Sequence, residues 1–355
     1  MMTQATFEIA DKASSSIHFD WLQVEVSARC NASCAYCVLN CYKAQWQGDL
    51  MDMQTFESLQ PAFALTDLVF LQGWGEPLLH PRFWVMVQSV KRAGCRVGFT
   101  TNAMALNEKH RQHLLDSETD IMGVSIAGVK SSTHNHFRQG CDFNKLDATM
   151  VKLKAMRQQA RIDKPELHLA VILLRSNWRE LAELPALADR WGISHIVISN
   201  LTWIADETIK QESMLLHPEL CPDVSELLEQ TRQQALQRGI QLHYYGPQLG
   251  PPHLICKENV LRACFVSWCG DVSPCVFSNL SISKQQTVEH YFDGKMHKID
   301  SLIFGNVREQ TLMDIWQSDT AKVFRAAFEK RLARAKQDSK YLPAPCQYCY
   351  KLLEQ

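Results

Sequence analysis

Three cysteines crowd one short stretch of the chain, the run Cys30-Asn-Ala-Ser-Cys34-Ala-Tyr-Cys37. This spacing lets three thiolates converge on one corner of an iron–sulfur cube, a type of cluster that is normally held by four thiolates. Three ligands from one loop leave one iron open to another molecule, as in a catalytic metal site. The alternative is a zinc site with Cys41 as fourth ligand, although zinc motifs more often pair Cys-x2-Cys units across a longer loop.

A second group of cysteines lies in the last hundred residues. The pair in Cys346-Gln-Tyr-Cys349 can chelate a metal centre but needs two more thiolates to complete a four-ligand site. We expect Cys256 and Cys275 to supply them, since Cys264 would lie within a hairpin. Cys264 is nevertheless an alternative to Cys256. A zinc ribbon is the alternative to an iron–sulfur cluster at this site, since spacing alone does not separate the two.

Three cysteines lie outside both groups, and the sequence contains no segment typical of export or of a membrane span. Cys95, Cys141 and Cys221 stand alone and are predicted to be small buried apolar residues. The N-terminal stretch has no basic start followed by an apolar run, and the longest apolar stretches, such as 169–174, are far shorter than the roughly 20 residues that span a bilayer. We therefore expect a cytoplasmic protein without a membrane partner, in which thiols stay reduced and available to metals.

Composition and charge exclude several classes of protein. Hydrophobic residues make up 46% and charged residues 21% of the 355 residues, which disfavours disorder, collagen-like sequence and coiled coil. The 37 basic and 38 acidic residues give a net charge of -1, so the chain has no overall basic field to hold nucleic acid. A nucleic-acid partner is therefore disfavoured, and a partner must be recognised locally.

The elements that would position the first cysteine loop alternate between strands and helices. Short apolar or β-branched runs predict strands at 21–26, 67–71, 95–99, 121–126, 167–173 and 195–199. Apolar residues at three- and four-residue spacing predict helices at 53–63, 82–93, 107–116, 144–159 and 177–191. This alternation indicates an α/β fold with a parallel sheet, a partial (β/α)6 barrel with functional groups at the carboxyl ends of its strands.

After residue 215 the rhythm changes. We expect a helix near 223–238, a hairpin over 263–277 and a long helix from about 312 to 336. The predicted organisation is therefore an N-terminal extension over residues 1–20, a barrel over 21–215 and a small C-terminal α+β domain over 216–355.

The first cysteine run resembles the signature of the radical S-adenosylmethionine (SAM) enzymes, Cys-x3-Cys-x2-Cys with an aromatic residue before the third cysteine. The run Gly73-Trp74-Gly75-Glu76-Pro77 is similar to that family's Gly-Gly-Glu-Pro motif, which holds the SAM amino group, with Trp74 as an added or replacing residue. Thr100-Thr101-Asn102 resembles the family's Thr-Asn-Gly at the ribose, with Ala103 in place of Gly. The resemblance implies SAM contacts from Tyr36, Gly73, Gly75, Glu76, Pro77, Asn102, Ser125 and Arg138.

Some of these polar residues also have simpler interpretations. An Asn often caps a turn, a Ser often ends a strand and an exposed Arg is usually solvated, so Asn102, Ser125 and Arg138 need not touch a ligand. His134 and His136 lie in a polar stretch without acidic or thiol neighbours, and we predict that both are surface residues rather than metal ligands.

The C-terminal part resembles the SPASM or twitch extension of radical SAM enzymes. The resemblance rests on Phe304-Gly305-Asn306-Val307, a following helix with Trp316, and the terminal cysteine pair. The tail holds six cysteines, fewer than the seven or more of a two-cluster SPASM domain. It therefore implies one auxiliary [4Fe–4S] cluster, with ligands Cys256, Cys275, Cys346 and Cys349.

The family resemblance implies an enzyme that reductively cleaves SAM at a [4Fe–4S] cluster and abstracts hydrogen from a substrate with the 5′-deoxyadenosyl radical. A peptide or protein is the favoured substrate, because such tails accompany maturases and the hairpin is similar to that of metalloenzyme or tungsten-cofactor maturases. The alternatives are a radical SAM dehydrogenase of a small molecule and a non-catalytic iron–sulfur or zinc scaffold. A reducing partner such as flavodoxin or ferredoxin is also implied.

Overall fold

A computed structural model describes residues 17–283, 288–334 and 341–355 of the chain. The strands are β1 (Phe19–Val24), β2 (Ser33–Cys34), β3 (Thr66–Phe70), β4 (Arg96–Thr101), β5 (Ile121–Ile126), β6 (Arg138–Gln139), β7 (Glu166–Leu173), β8 (His195–Asn200), β9 (Gln241–Tyr244), β10 (Ala263–Val266), β11 (Asp271–Ser273), β12 (Val288–Phe292), β13 (Lys295–Ile299) and β14 (Gly305–Asn306).

The helices lie between these strands and at the C-terminal end. The α-helices are α1 (Val38–Cys41), α2 (Met53–Glu57), α3 (Gln60–Phe63), α4 (Phe83–Arg92), α5 (Glu108–Asp116), α6 (Ser131–Phe137), α7 (Phe143–Ala160), α8 (Leu184–Trp191), α9 (Glu207–Glu212), α10 (Cys221–Gln237), α11 (Leu312–Trp316), α12 (Asp319–Arg334) and α13 (Ala344–Gln347). Short 3₁₀ helices cover Pro77–Leu79, Trp178–Glu183, Met214–Leu216, Pro218–Leu220, Val276–Ser278 and Tyr350–Leu352.

A ten-stranded sheet with the order β14-β11-β10-β1-β3-β4-β5-β7-β8-β9 forms the centre of the fold. The six strands β1, β3, β4, β5, β7 and β8 run parallel to their neighbours, so the predicted α/β partial barrel is confirmed. Their observed bounds lie within two residues of the predicted ones, and Ile121–Ile126 agrees at both ends.

Proline breaks two of the predicted helices. The helix predicted over 53–63 is divided into α2 and α3, with Pro61 in the first turn of α3. The helix predicted over 177–191 begins as a 3₁₀ segment and becomes α-helical at α8, with Pro185 in its first turn. Proline has no N–H to donate and crowds the carbonyl four residues earlier, so a continuous helix through either position is disfavoured.

The long helix predicted over about 312–336 is two helices, α11 and α12, and residues 335 and 336 lie outside the described residues. The first helix ends after Trp316, and Ser318 Oγ then accepts a hydrogen bond from Ala321 N at 3.3 Å. A serine in this position satisfies a free N–H at the start of a new helix.

The C-terminal part extends the barrel sheet beyond β1. Strand β10 pairs in parallel with β1, and β11 and β14 follow in antiparallel order. The hairpin predicted over 263–277 is therefore present, and Gly270 in its turn has a φ of +91°, a conformation that favours glycine. The two halves of the chain share one sheet.

The segment that follows residue 215 contains helix α10 and strand β9. Helix α10 packs Val224, Leu228 and Ala235 into the main core, and β9 pairs in parallel with β8. Both elements thus continue the barrel, although the second domain was predicted to begin at residue 216. The apolar face of α10 and the open edge of β8 explain why this segment joins the sheet. We propose a boundary after Tyr244.

Burial of individual residues supports one prediction and corrects another. Cys95, Cys141 and Cys221 are buried, as predicted. His134 was predicted at the surface but is 0% exposed, because α6 packs its ring against Phe143 of α7 at 5.4 Å. Burial lowers the pKa of His134 to about 3, so the ring is neutral. His136 is exposed, as predicted.

None of the helices in the described ranges combines the length and the apolar composition that a bilayer span requires.

Candidate active site and metal centres

The first cysteine loop follows β1 and is fixed at both of its ends. Cys34 lies in β2, which pairs with β6 through the Cys34 and Arg138 positions, and Cys37 is the residue that precedes α1. Cys30 Sγ accepts a hydrogen bond from Ala32 N at 3.4 Å. The structure thus brings Cys30, Cys34 and Cys37 into one small cluster beside Cys141 and Met104.

Deprotonation of these buried thiols is unfavourable when no cation is bound to them. Burial, together with the neighbouring thiols, raises the pKa of Cys30 and of Cys37 to about 12. Thiolates bind metal only when deprotonated, and a cationic centre offsets the cost of that charge. The donor set therefore fits a metal centre.

The spread of the thiols favours a cluster over a single zinc ion. Tetrahedral zinc with Zn–S bonds of about 2.3 Å needs sulfur atoms about 3.8 Å apart. Within residues 17–283, 288–334 and 341–355, the groups of three ligand atoms that all lie within 4.8 Å of one another contain His, Asp and Glu but no cysteine. Both thiol sets are thus wider than a zinc site, as a cube of iron and sulfur requires.

The loop after β3 approaches the backbone of the cysteine loop closely. A Cβ at Gly75 would lie 2.4 Å from the Ser27 carbonyl oxygen and 2.5 Å from that of Arg29. A Cβ at Gly73 would meet the Glu25 side chain at 2.3 Å. Only glycine fits at these two positions, so the two loops form one continuous wall.

Glu76 joins this loop to the loop after β4. Its Oε1 accepts hydrogen bonds from Thr101 Oγ1 at 2.7 Å and Leu78 N at 3.1 Å, and its Oε2 accepts one from Asn102 N at 2.8 Å. The Glu76 side chain is 2% exposed. Burial raises its pKa. Glu76 thus links the loops after β3 and β4 by hydrogen bonds, and Pro77 beside it begins a 3₁₀ helix.

Asn102 is directed toward the cysteine loop. Its Nδ2 donates to Asn31 Oδ1 at 2.8 Å and lies 3.9 Å from Cys30 Sγ, while its Oδ1 accepts from Met104 N at 2.9 Å. The next residue, Ala103, has a φ of +60°, the conformation for which glycine is the usual residue. The structure therefore gives a physical reason for the Gly in the motif that this segment resembles.

Arg138 and Tyr36 form a buried pair beside the thiols. Arg138 is 8% exposed, so it is not the solvated side chain of the simpler interpretation, and its Nη1 donates to Tyr36 Oη at 2.9 Å. Arg138 Nε is buried and has no hydrogen-bond partner among the described residues. An anionic ligand atom would satisfy that donor. Ser125 is half-buried near the carboxyl end of β5.

The second thiol set lines one cavity. Cys256, Cys275, Cys346 and Cys349 face it together, and burial raises the pKa of Cys275 to about 11 and of Cys349 to about 12. Cys264, the alternative ligand, does not line this cavity. It is buried in β10 with Arg325 as its charged neighbour. The structure thus brings together the four residues predicted as ligands, with Cys256 in preference to Cys264.

Aromatic residues that sequence reasoning did not assign connect the two sites. The Trp74 ring packs edge-on against Phe277 at 5.6 Å, and its Nε1 donates to the Val276 carbonyl at 3.3 Å. Trp203 stacks on His290 at 4.8 Å in the wall of the second cavity. The extra Trp within the glycine motif was the signal available for Trp74, whereas Trp203 follows a strand without a motif.

Comparison with known protein families decides the assignment. The Radical SAM superfamily matches residues 24–199, which contain the first cysteine loop, and the SPASM iron–sulfur cluster-binding domain matches residues 256–350, which contain the second set. The chain belongs to the radical SAM superfamily. It is an enzyme with a [4Fe–4S] cluster, SAM and an auxiliary iron–sulfur cluster as cofactors.

Two characterised relatives show the range of this radical SAM family. The tungsten-containing aldehyde ferredoxin oxidoreductase cofactor-modifying protein of Pyrococcus furiosus is 26% identical over 314 residues, 86% of this chain and 83% of that protein. The mycofactocin maturase MftC of Mycobacterium ulcerans is 24% identical over 168 residues, 47% of this chain and 44% of that protein.

A solved structure shares the fold of this radical SAM enzyme. SuiB of Streptococcus suis, in its crystal structure bound to precursor peptide SuiA, superposes with a TM-score of 0.61 and 15% sequence identity. The match covers 87% of this chain and 67% of that chain. At this identity the likeness shows the common architecture of barrel and C-terminal domain.

Proposed function

We propose that this radical SAM enzyme modifies a peptide or protein by abstracting a hydrogen atom from it. The observation that carries the proposal is one sheet that holds an open three-thiol loop at β1 and a closed four-thiol set beside it. The names of MftC, a maturase, and of the peptide-bound SuiB support a peptide as the substrate class.

Cys30, Cys34 and Cys37 would hold the first cluster, and the fourth iron would be left to SAM. When bound, a reduced cluster would supply the electron that splits the C5′–S bond of SAM into methionine and a 5′-deoxyadenosyl radical, the species that would take a hydrogen atom from the substrate. The protein around it has to orient SAM and keep water away from the radical.

The residues near the thiols suit that task. The Gly73 to Gly75 loop lets backbone carbonyls approach the amino group of SAM, and Glu76 holds that loop against Thr101 and Asn102. The buried Arg138 has a free Nε donor for a carboxylate, and Tyr36 Oη fixes the other side of the guanidinium. Ser125 is the half-buried residue of β5 and would contact the ribose.

Cys256, Cys275, Cys346 and Cys349 would hold the auxiliary cluster. Four ligands complete a cluster, so this centre is suited to electron transfer rather than to binding SAM. Trp74, Phe277 and Trp203 lie between the two thiol sets and would wall the substrate pocket. A reduced flavodoxin or ferredoxin is the partner we propose as electron donor.

The first experiment measures iron and acid-labile sulfide per chain after anaerobic reconstitution, together with dithionite-driven formation of 5′-deoxyadenosine. We expect about eight irons in the wild type and about four in a Cys30→Ala, Cys34→Ala, Cys37→Ala variant, because each site holds a four-iron cluster. SAM cleavage is lost in that variant. The matched control is Cys41→Ala in the same loop, which keeps its iron and its activity.

Two results would contradict the assignment. Zinc without iron, or four irons that survive the triple substitution, would favour the scaffold. To test the substrate class, the holoenzyme is incubated with SAM, dithionite and peptides encoded beside its gene. A peptide mass change that matches the 5′-deoxyadenosine formed supports the proposal, whereas product in the small-molecule fraction alone would favour a dehydrogenase.

A further inference from the structure

Two histidines and a glutamate meet on the barrel strands, away from both thiol sets. Glu166 is the first residue of β7, His168 is the third, and His195 is the first residue of β8. They lie at the amino ends of these strands, whereas the cysteine loop follows the carboxyl end of β1. Any chemistry here is separate from the radical SAM site.

The strand pattern places all three side chains on one face of the sheet. Along β7, Leu167, Leu169 and Val171 are buried in the main core, while the alternate residues are half-buried. Successive side chains point to opposite faces of a strand. Glu166 and His168 therefore lie on the face opposite this core, and the register of His168 with His195 brings the two rings together on that face.

The distances describe a compact set of ligand atoms. Glu166 Oε1 lies 2.5 Å from His168 Nε2 and 3.4 Å from His195 Nδ1. All three atoms lie within 4.8 Å of one another, and Ser194 Oγ approaches His195 Nδ1 at 3.0 Å. The imidazole rings are 4.7 Å apart at 33°. Two imidazoles and one carboxylate at this spacing can surround one ion with small shifts of the side chains.

A third histidine on the neighbouring strand adds an independent observation. The His243 ring of β9 stacks over His195 at 6.1 Å and 13°. Its Nε2 is buried and lacks a hydrogen-bond partner within the part of the chain that the structure describes. A buried ring nitrogen without a partner costs free energy, and a ligand or its bound water would offset that cost. His243 thus adds an imidazole beside His195 on the neighbouring strand.

We propose that Glu166, His168 and His195 bind a divalent transition-metal ion, with zinc as the preferred probe, at the amino ends of the barrel strands. Imidazole and carboxylate ligands suit zinc, iron, cobalt and nickel. The side chains of Glu166, His168 and His195 are 43%, 16% and 15% exposed, so an ion can reach them from solvent. The site uses no cysteine, so its ion is distinct from both iron–sulfur clusters.

The test uses holoenzyme with both clusters reconstituted, so that the thiols are occupied before zinc is added. After incubation with one equivalent of zinc and gel filtration, zinc and iron per chain are measured, and zinc K-edge X-ray absorption gives the bond lengths. We expect one zinc with nitrogen and oxygen ligands at about 2.0–2.1 Å, whereas cysteine-bound zinc has sulfur at about 2.3 Å. A His168→Ala, His195→Ala variant should bind zinc at least tenfold more weakly and keep its iron.

Matched variants make the outcome decisive. His136→Ala removes an exposed histidine elsewhere and should leave zinc binding unchanged. Glu166→Gln keeps the size of the side chain and should still weaken binding, which separates loss of a ligand from misfolding of the double variant. Equal zinc affinity in the wild type and in Glu166→Gln, or scattering from sulfur alone, would overturn the proposal.

Discussion

At the scale of single residues, Glu25 connects the loop after β3 with the turn between β10 and β11. Its carboxylate is 0% exposed and accepts hydrogen bonds from Trp74 N at 2.8 Å and Trp268 N at 3.4 Å. Burial raises the pKa of Glu25 from 4.5 to about 7. A buried acid with only neutral donors around it is protonated in the folded chain where it would be charged in the unfolded one.

This shift predicts a pH-dependent stability. Because the folded-state pKa is raised, Glu25 stabilises the fold fully below pH 4.5, and that contribution is lost as the pH rises through about 7. Between pH 5.5 and pH 8 the loss is about 2 kcal/mol. We measure melting midpoints under anaerobic conditions at pH 5.5 and at pH 8. The midpoint of Glu25→Gln minus that of the wild type should be about 3 °C larger at pH 8 than at pH 5.5.

The amide at position 25 has a cost in stability that does not depend on pH. This cost cancels, because the midpoint difference between variant and wild type is compared at two pH values. Glu57→Gln, an exposed carboxylate on α2, is the control and should show no such gain. Midpoints of Glu25→Gln and wild type that run parallel from pH 5.5 to pH 8 would contradict the shift.

Residues differ in how far the sequence reveals them. The grouping of Cys30, Cys34 and Cys37 could be predicted because the three residues lie within one short run of the sequence. Glu25 could not, because its role comes from Trp268, a residue 243 positions away. His134 was misplaced for the same reason, since the ring of Phe143 that covers it belongs to another helix.

At the scale of elements, Glu76 connects two loops that follow neighbouring strands. The loop after β3 carries the carboxylate, and the loop after β4 supplies Thr101 and the Asn102 backbone. Asn102 then holds the cysteine loop through Asn31. The loops after β1, β3 and β4 are thereby linked in one chain of hydrogen bonds.

Glu76→Gln should weaken this connection at one point. An amide can accept from only one side, so either the Asn102 N–H or the Leu78 N–H loses its acceptor. We expect the dissociation constant of SAM to rise about tenfold, which corresponds to about 1.4 kcal/mol, while iron per chain stays unchanged. Equilibrium dialysis on the reconstituted enzyme measures the dissociation constant, and an iron assay measures the iron per chain, with Glu57→Gln as control. An affinity within twofold of wild type would contradict the positioning role.

The elements themselves show which local signals are strong. Six strands could be predicted because each contains a short apolar or β-branched run. Strand β10 has four residues and its partner β1 is far away in the sequence, so its parallel pairing could not be predicted from local pattern. Pro61 and Pro185 could have indicated the helix breaks from the sequence. The prediction followed the apolar periodicity, which continues through both prolines.

At the scale of the whole molecule, the sheet runs without interruption from β14 to β9 and so through both cluster-binding parts. Strand β1 has β10 on one side and β3 on the other. The partial barrel therefore has an open, apolar edge without the C-terminal part, and an unpaired edge of this kind promotes aggregation.

A chain ending at residue 255 should therefore fail as an independent barrel. We expect most of it in the insoluble fraction after expression, because β1 loses the strand that covers it. The control is the full chain with Cys256, Cys275, Cys346 and Cys349 all changed to Ala, which lacks the auxiliary ligands but keeps the strands. A truncated chain that is monomeric and unfolds cooperatively in circular dichroism would show that the barrel stands alone.

The pairing of β1 with β10 also determines when β1 can find its partner strand during synthesis. β1 leaves the ribosome about 240 residues before β10, a delay of roughly 12–48 s at about 5–20 residues per second. During that interval Glu25 lacks Trp268, and one edge of β1 is bare. The thiols of the first loop thus emerge long before their surroundings exist. We therefore expect the iron–sulfur cluster to be inserted at this loop after translation, when the residues that bury it are present.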